Sequence, residues 1–206
     1  MPFHGPHTAP ISNEFSVKNN MNVQNSPLNG VTVITPKVFH DERGYFFEAF
    51  SKKRYTEVCG DVEFVQDNVS ESVKGTIRGL HYQVGEFAQG KLCKVLSGKV
   101  IDVAVDIRFG STTFGQYFAV ELSDENSAQL WIPPGFAHGF SVLSERAVFH
   151  YKCTNYYSKS HERAIRFNDP TLNIDWRVAV PIVSEKDLDA PLFSGIEKDF
   201  IVSPLQ

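Results

Sequence analysis

The 206-residue chain has only three cysteines, Cys59, Cys93 and Cys153, widely spaced and without a CxxC pair. That number and spacing give no disulfide framework and fit reduced thiols in a cytoplasm. Positive charge is not in excess: 20 Lys and Arg against 24 Asp and Glu leave a net charge of −4. A basic nucleic-acid-binding surface is therefore disfavoured. No apolar run approaches the roughly 20 residues of a membrane span. Met1 to Gly30 lacks the basic-then-apolar layout of a secretory signal. A Gly-rich dinucleotide fingerprint is missing as well. The expectation is a soluble, cytoplasmic protein with no membrane and no nucleic-acid partner.

What the chain does have is enough length for one domain with a substantial core. Residues 1–29 are polar, rich in Asn, Pro and Ser, and without clear periodicity. They are expected to form a mobile extension, or to fold over a neighbouring subunit, with His4 and His7 as ordinary tail residues. The folded domain is expected from residue 30 to 206. There, short strands are predicted at Val31–Ile34, Gly44–Phe50, Val62–Ser70, Gly75–Gln83 and Lys91–Leu96. A period-two run over Val100–Ile107 follows, then Gly115–Leu122, Leu130–Ile132, Gly139–Leu143 and Ala147–Thr154. Helix is predicted only around Lys52–Val58 and after Ser184. Many short strands punctuated by Gly and Pro indicate an all-β, antiparallel sandwich or barrel.

The segment Thr76-Ile-Arg-Gly-Leu-His-Tyr-Gln83 sets Arg78 close to His81. Histidine is the natural base near neutral pH, and arginine the natural fork for phosphate. On a regular strand the two point to opposite faces, so they share a pocket only if the strand bulges, and Gly79 is where it could. Otherwise His81 is a hydrogen-bonded structural histidine. Tyr151 falls on the apolar parity of Ala147, Phe149 and Cys153, as a core residue or as a cavity-lining acid. By spacing alone Lys91 reads as a solvated strand-opening lysine, and Arg43 as a turn charge. Asp187 ends Ser184-Glu-Lys-Asp187, a capping-box pattern. His138 follows a rigid double-proline turn. Metal-binding jelly rolls use a closely spaced His pair, but Gly79 and Gln83 flank His81 at that spacing, so a metal is disfavoured.

Several motifs taken together identify a family resemblance. Val38-Phe-His-Asp-Glu-Arg-Gly-Tyr-Phe-Phe-Glu48, Phe64-Val-Gln-Asp-Asn68, Arg78-Gly-Leu-His-Tyr-Gln83 and Gln89-Gly-Lys91 resemble the dTDP-4-dehydrorhamnose 3,5-epimerases. So do Pro133-Pro-Gly-Phe-Ala-His-Gly-Phe140, Tyr151-Lys-Cys-Thr-Asn-Tyr-Tyr157, Asn168-Asp-Pro170 and Ser184-Glu-Lys-Asp187. The similarity runs in order from about Val31 to Phe193. It implies a cupin-like jelly roll, usually a homodimer, that works without metal or cofactor on a dTDP-4-keto-6-deoxyhexose. By matching position, His81 is the base, Asp187 its orienting partner, Tyr151 the acid and Lys91 the enolate stabiliser. Arg43, Glu48, Gln66, Asn68, Arg78, His138 and Glu162 are implied to contact the nucleotide sugar.

The chemistry suits such residues. A C4 ketone acidifies the hydrogens on C3 and C5, and inversion needs a base on one sugar face and an acid on the other. Two other readings stay open: an enzyme that inverts only C3 or only C5, and a non-catalytic nucleotide-sugar binding jelly roll.

Overall fold

A computed structural model describes residues 15–18 and 21–202. Among the described residues are fourteen strands and two short α-helices. First come β1 (Phe15–Lys18), β2 (Met21–Asn25), β3 (Thr32–Pro36), β4 (Phe39–Asp41), β5 (Gly44–Phe46) and helix α1 (Lys52–Cys59). Then follow β6 (Gln66–Val73), β7 (Ile77–Gln83), β8 (Lys91–Ser97), β9 (Lys99–Asp106), β10 (Tyr117–Ser123), β11 (Gln129–Ile132), β12 (Phe136–Val142), β13 (Arg146–Cys153), β14 (Glu162–Ala164) and α2 (Glu185–Leu188).

A seven-stranded sheet has the order β1-β2-β3-β11-β8-β13-β6, and a five-stranded sheet the order β10-β9-β12-β7-β14. Every strand pairing in both is antiparallel. The two sheets close on a shared core in which Cys93, Leu130 and Phe149 from one meet Val100, Phe136 and Phe140 from the other. The strand pattern predicts such an antiparallel sandwich, and the family resemblance implies its jelly-roll form.

β9 is buried on both faces, which its sequence explains. Val100 and Ala104 point between the sheets, while Ile101, Val103 and Val105 pack outward against Ile165, Leu172, Trp176 and Phe193. The five-stranded sheet is thus covered on both sides, and β9, second in its order, carries apolar residues on both parities from Val100 to Val105 except at Asp102. On the seven-stranded sheet, α1 places Tyr55 and Cys59, four residues apart, over Ile34, Leu92 and Trp131 on the outer face.

β6 is different: Gln66, Asn68, Ser70 and Ser72 fall on one parity at the end of the sheet. Because these side chains are polar, that end of the sandwich is lined for a ligand and not filled like a core.

Several boundaries differ from expectation, three of them by four or more residues. Within the expected extension, residues 21–25 form β2, paired with β3, and Met21, Val23 and Leu28 are buried. With only Met21 and Val23 as apolar positions among Asn and Gln, the alternation is too short to stand out from the polar tail. Residues 15–18 of the same extension form β1, paired with β2, while residues 1–14, with His4 and His7, and 19–20 lie outside the described residues. The run expected over Gly44–Phe50 ends at Phe46 because its partner β4 offers only three residues. The strand expected from Val62 begins at Gln66, opposite the last residue of β13.

Candidate active site

β7 carries a bulge where its glycine predicts one. His81 pairs with His138 and Arg78 with Phe140, so three residue steps on β7 span two on β12. Gly79 adopts a φ of +123°. A Cβ there would stand 2.6 Å from the Gly139 Cα and 2.7 Å from the His138 carbonyl oxygen. Only glycine fits. The extra residue resets the parity, and Arg78 and His81 line one cavity of about 510 Å³ together with Lys91, His138, Tyr151 and Asp187.

Asp187 reaches this cavity through its helix start. Ser184 caps α2 by accepting from the Asp187 backbone N–H at 3.2 Å, which is half of the expected capping box. The Asp187 carboxylate is instead 2.5 Å from His81 Nε2 and also accepts from the Gly79 N–H at 3.4 Å. Burial by itself would raise this carboxyl, but the bonds from His81, Gly79 and Ser184 hold it below the ordinary carboxylate range. With Nε2 bound to the carboxylate, Nδ1 of His81 is left for the cavity.

Tyr151 lines the same cavity from β13, in the opposing sheet. Its ring packs beside Phe149 and His138, and the Lys91 ammonium lies 5.9 Å from the ring centroid. Burial, aided by the neighbouring Cys153 and Cys93, pushes its hydroxyl up to about 12. The phenol is therefore protonated at neutral pH. Lys91 donates to the His81 carbonyl at 3.4 Å and makes no ion pair among the described residues.

A second cavity of about 250 Å³ adjoins the first, since His81, Lys91 and Tyr151 line both. Gln66, Asn68 and Glu162 line this part. Glu162 accepts from the Tyr157 hydroxyl at 3.0 Å and pairs with Lys186 at 2.5 Å. Burial tends to raise its carboxyl, and these two partners lower it further than burial raises it. Arg78 donates to Ser72 Oγ at 3.0 Å from the rim of the first cavity.

Arg43 and Glu48 are not brought to these cavities in the single chain. Arg43 sits at the turn of the exposed β4–β5 hairpin, paired with Asp41 at 2.6 Å. Glu48 pairs with Arg54 at 3.2 Å beside a separate cavity of about 160 Å³.

Of the polar residues of the site that escaped sequence reasoning, three bear on its chemistry. Lys186 and Ser70 line the larger cavity, and their only signals are adjacency to Asp187 and the parity of Asn68. The third is Asp102, fully buried and 2.6 Å from His138 Nε2. Its signal was a lone acid between Val100 and Ala104 in a strand apolar on both faces.

Cys93, Asp102 and His138 also converge closely enough to suggest a metal site. However, the 2.6 Å between Asp102 Oδ1 and His138 Nε2 is a hydrogen-bond distance. Two tetrahedral ligands of one zinc ion would stand roughly 3.3 Å apart. As arranged, this donor set is a hydrogen-bonded group.

A carboxylate-bound imidazole from one sheet and a half-buried, protonated phenol from the other line one cavity of a cupin-like jelly roll, the pairing that an acid–base isomerase would use. The comparisons specify which. Residues 25–195 match the family described as dTDP-4-dehydrorhamnose 3,5-epimerase, and the chain belongs to that family. It is 51% identical over 183 residues to the dTDP-4-dehydrorhamnose 3,5-epimerase of Shigella flexneri, covering 88% of this chain and all of that one. The crystal structure of the dTDP-6-deoxy-D-glucose-3,5-epimerase of Legionella pneumophila, in complex with dTDP-4-keto-L-rhamnose, superposes with a TM-score of 0.83 at 52% identity. It covers 86% of this chain and 95% of that one. A 3'-monoepimerase from Streptomyces bikiniensis, in complex with dTDP-quinovose, gives a TM-score of 0.77 at 31% identity over 82% of this chain and 87% of that one.

Proposed function

We propose that the chain inverts C3 and C5 of dTDP-4-dehydro-6-deoxyglucose through enolate intermediates, giving dTDP-4-dehydrorhamnose. The observation that carries this is the placement of His81 and Tyr151 on opposing sheets of one cavity. Inversion requires that a proton leave one face of the sugar and arrive at the other.

His81 Nδ1 takes the proton from the carbon beside the ketone. The C–H electron pair moves into the C–C bond, and the charge collects on the C4 oxygen. Asp187 stabilises the imidazolium and fixes the ring. Lys91 lies at the cavity wall where that oxyanion would form; one such donor is typically worth about 3–4 kcal/mol of barrier. Tyr151 then delivers its proton to the opposite face and is reprotonated from solvent, while the imidazolium releases its proton to solvent. Arg78 and Lys186 supply positive charge for the diphosphate, and Gln66, Asn68, His138 and Glu162 supply polar contacts to the sugar and nucleotide.

The homodimer belongs to the same proposal. Phe39, Tyr45 and Phe46 on the β4–β5 hairpin are half or more exposed, a large apolar display around Arg43. The hairpin would carry Arg43 into the cavity of a second copy. A cytoplasmic site of action accords with the three free, buried thiols. No helix among the described residues is long and apolar enough to cross a membrane.

Turnover in deuterated water tests the proposal. Deuterium should enter the product at both C3 and C5. Label at one carbon alone would make the chain a single-position epimerase, and binding without label a nucleotide-sugar binding module.

A further inference from the structure

Next to the His81–Asp187 pair, the cavity holds a second imidazole bound to a buried carboxylate. Asp102 is fully buried on β9, with Oδ1 2.6 Å from His138 Nε2. Its other oxygen, Oδ2, is buried and has no hydrogen-bond partner among the described residues. A buried carboxylate left half-satisfied destabilises the fold, so a stabilising role does not account for it. The neighbouring Cys93 sulfur is 3.7 Å from His138 Nε2. Burial chiefly, and then Asp102, push that thiol well above its ordinary range, so it stays neutral beside the pair.

The consequence for His138 is a single tautomer. Burial lowers its basicity more than Asp102 raises it, which leaves the ring neutral with its one proton on Nε2, given to Asp102. Nδ1 is then a lone pair. It makes no hydrogen bond among the described residues, is not one of the buried unpartnered atoms, and belongs to a side chain lining the cavity. Arg78, Lys91 and Lys186 offer this cavity only donors. A sugar entering it brings hydroxyl groups that need acceptors.

The geometry points to Asp102 as a positioning residue: by holding the His138 proton on Nε2, it keeps the cavity-facing Nδ1 an acceptor for a hydroxyl of the sugar. This rests on the cavity being the sugar site of the epimerase proposed above.

Two measurements test it. Nitrogen-15 NMR of the histidine-labelled free protein should show His138 protonated at Nε2 and bare at Nδ1. In Asp102→Asn the side-chain amide can donate to Nε2, moving the ring proton to Nδ1. KM should then rise about tenfold, the loss of one good hydrogen bond, with kcat changed less than KM. Adding Asp102→Asn to His138→Asn should cost nothing further, because Asp102 acts through His138. A wild-type proton on Nδ1, an unchanged KM in folded Asp102→Asn, or additive losses in the double variant would each overturn the assignment. Should Asp102→Asn fail to fold, the wild-type tautomer and the KM of His138→Asn decide it. Wild-type protein that incorporates no solvent deuterium would refute the epimerase, whereas the tautomer measurement needs no turnover.

Discussion

His81 and His138 stand directly opposite each other on neighbouring strands, and each gives Nε2 to a carboxylate at 2.5–2.6 Å. The similarity ends there. Asp187 comes from a helix start at the cavity rim, and His81 keeps 29% of its side chain exposed. Asp102 comes from β9, whose two faces are both covered, and His138 is buried. One imidazole can exchange protons with solvent; the other is held in place.

His81→Ala should abolish solvent deuterium incorporation at both carbons, with kcat down by at least about 10²–10⁴, the usual contribution of a positioned base. Circular dichroism should be unchanged. Residual labelling at the wild-type rate would remove His81 as the base.

Tyr151→Phe separates the two half-steps. His81 should still abstract the proton, so exchange without inversion continues while product formation collapses. Since the Tyr151 hydroxyl makes no hydrogen bond among the described residues, its removal should cost less than about 1 kcal/mol of stability. A large drop in Tm would mean that the hydroxyl has a structural partner.

Gly79→Ala should be severely damaging. The added Cβ meets backbone at 2.6 and 2.7 Å at a φ of +123°, and a positive φ alone costs a non-glycine residue about 1–3 kcal/mol. Denaturant unfolding should show at least that loss. Any folded fraction should bind substrate weakly, because the bulge that aligns Arg78 with His81 is disturbed.

Acid should destabilise the protein in two stages. His138 and His150 have folded-state basicities lowered mainly by burial. The unfolded chain therefore binds more protons there, and stability falls as pH drops below about 6.5. Asp187 and Asp106 are held below their ordinary range, with bonds outweighing burial. Their contribution is fully present above about pH 4 and is lost as pH falls through their folded values. Thermal melts from pH 8 to 3 should show both stages, and His150→Gln should weaken the first. A flat Tm between pH 7 and 5 would contradict this.

Mixing subunits tests the hairpin. Arg43→Ala and His81→Ala should each be nearly inactive alone. Their equimolar mixture, refolded together, should recover about a quarter of wild-type activity, since half the dimers are mixed and each has one intact site. No recovery would place Arg43 in its own chain's site or outside the mechanism. Chelator treatment should leave the rate unchanged, and a loss restored by zinc would reassign the Cys93–Asp102–His138 group.

The sequence by itself determined most of the strands between Val31 and Thr154, the all-β class and the family. Period-two runs and Gly or Pro turns are local, and so is the Ser184 cap on α2. It also identified Gly79 as the place for a bulge, because only glycine accepts that backbone. It could not determine which side chains meet. His81 and Asp187 are 106 residues apart, and Tyr151 enters from the other sheet. Asp102 looked like one more polar position in an alternating strand until the second layer closed over it. Only tertiary structure decided that β9 is covered on both faces, and that burial makes Asp102 a partner for His138. Contacts of this kind depend on how two sheets pack, and strand periodicity carries no information about what lies across the gap.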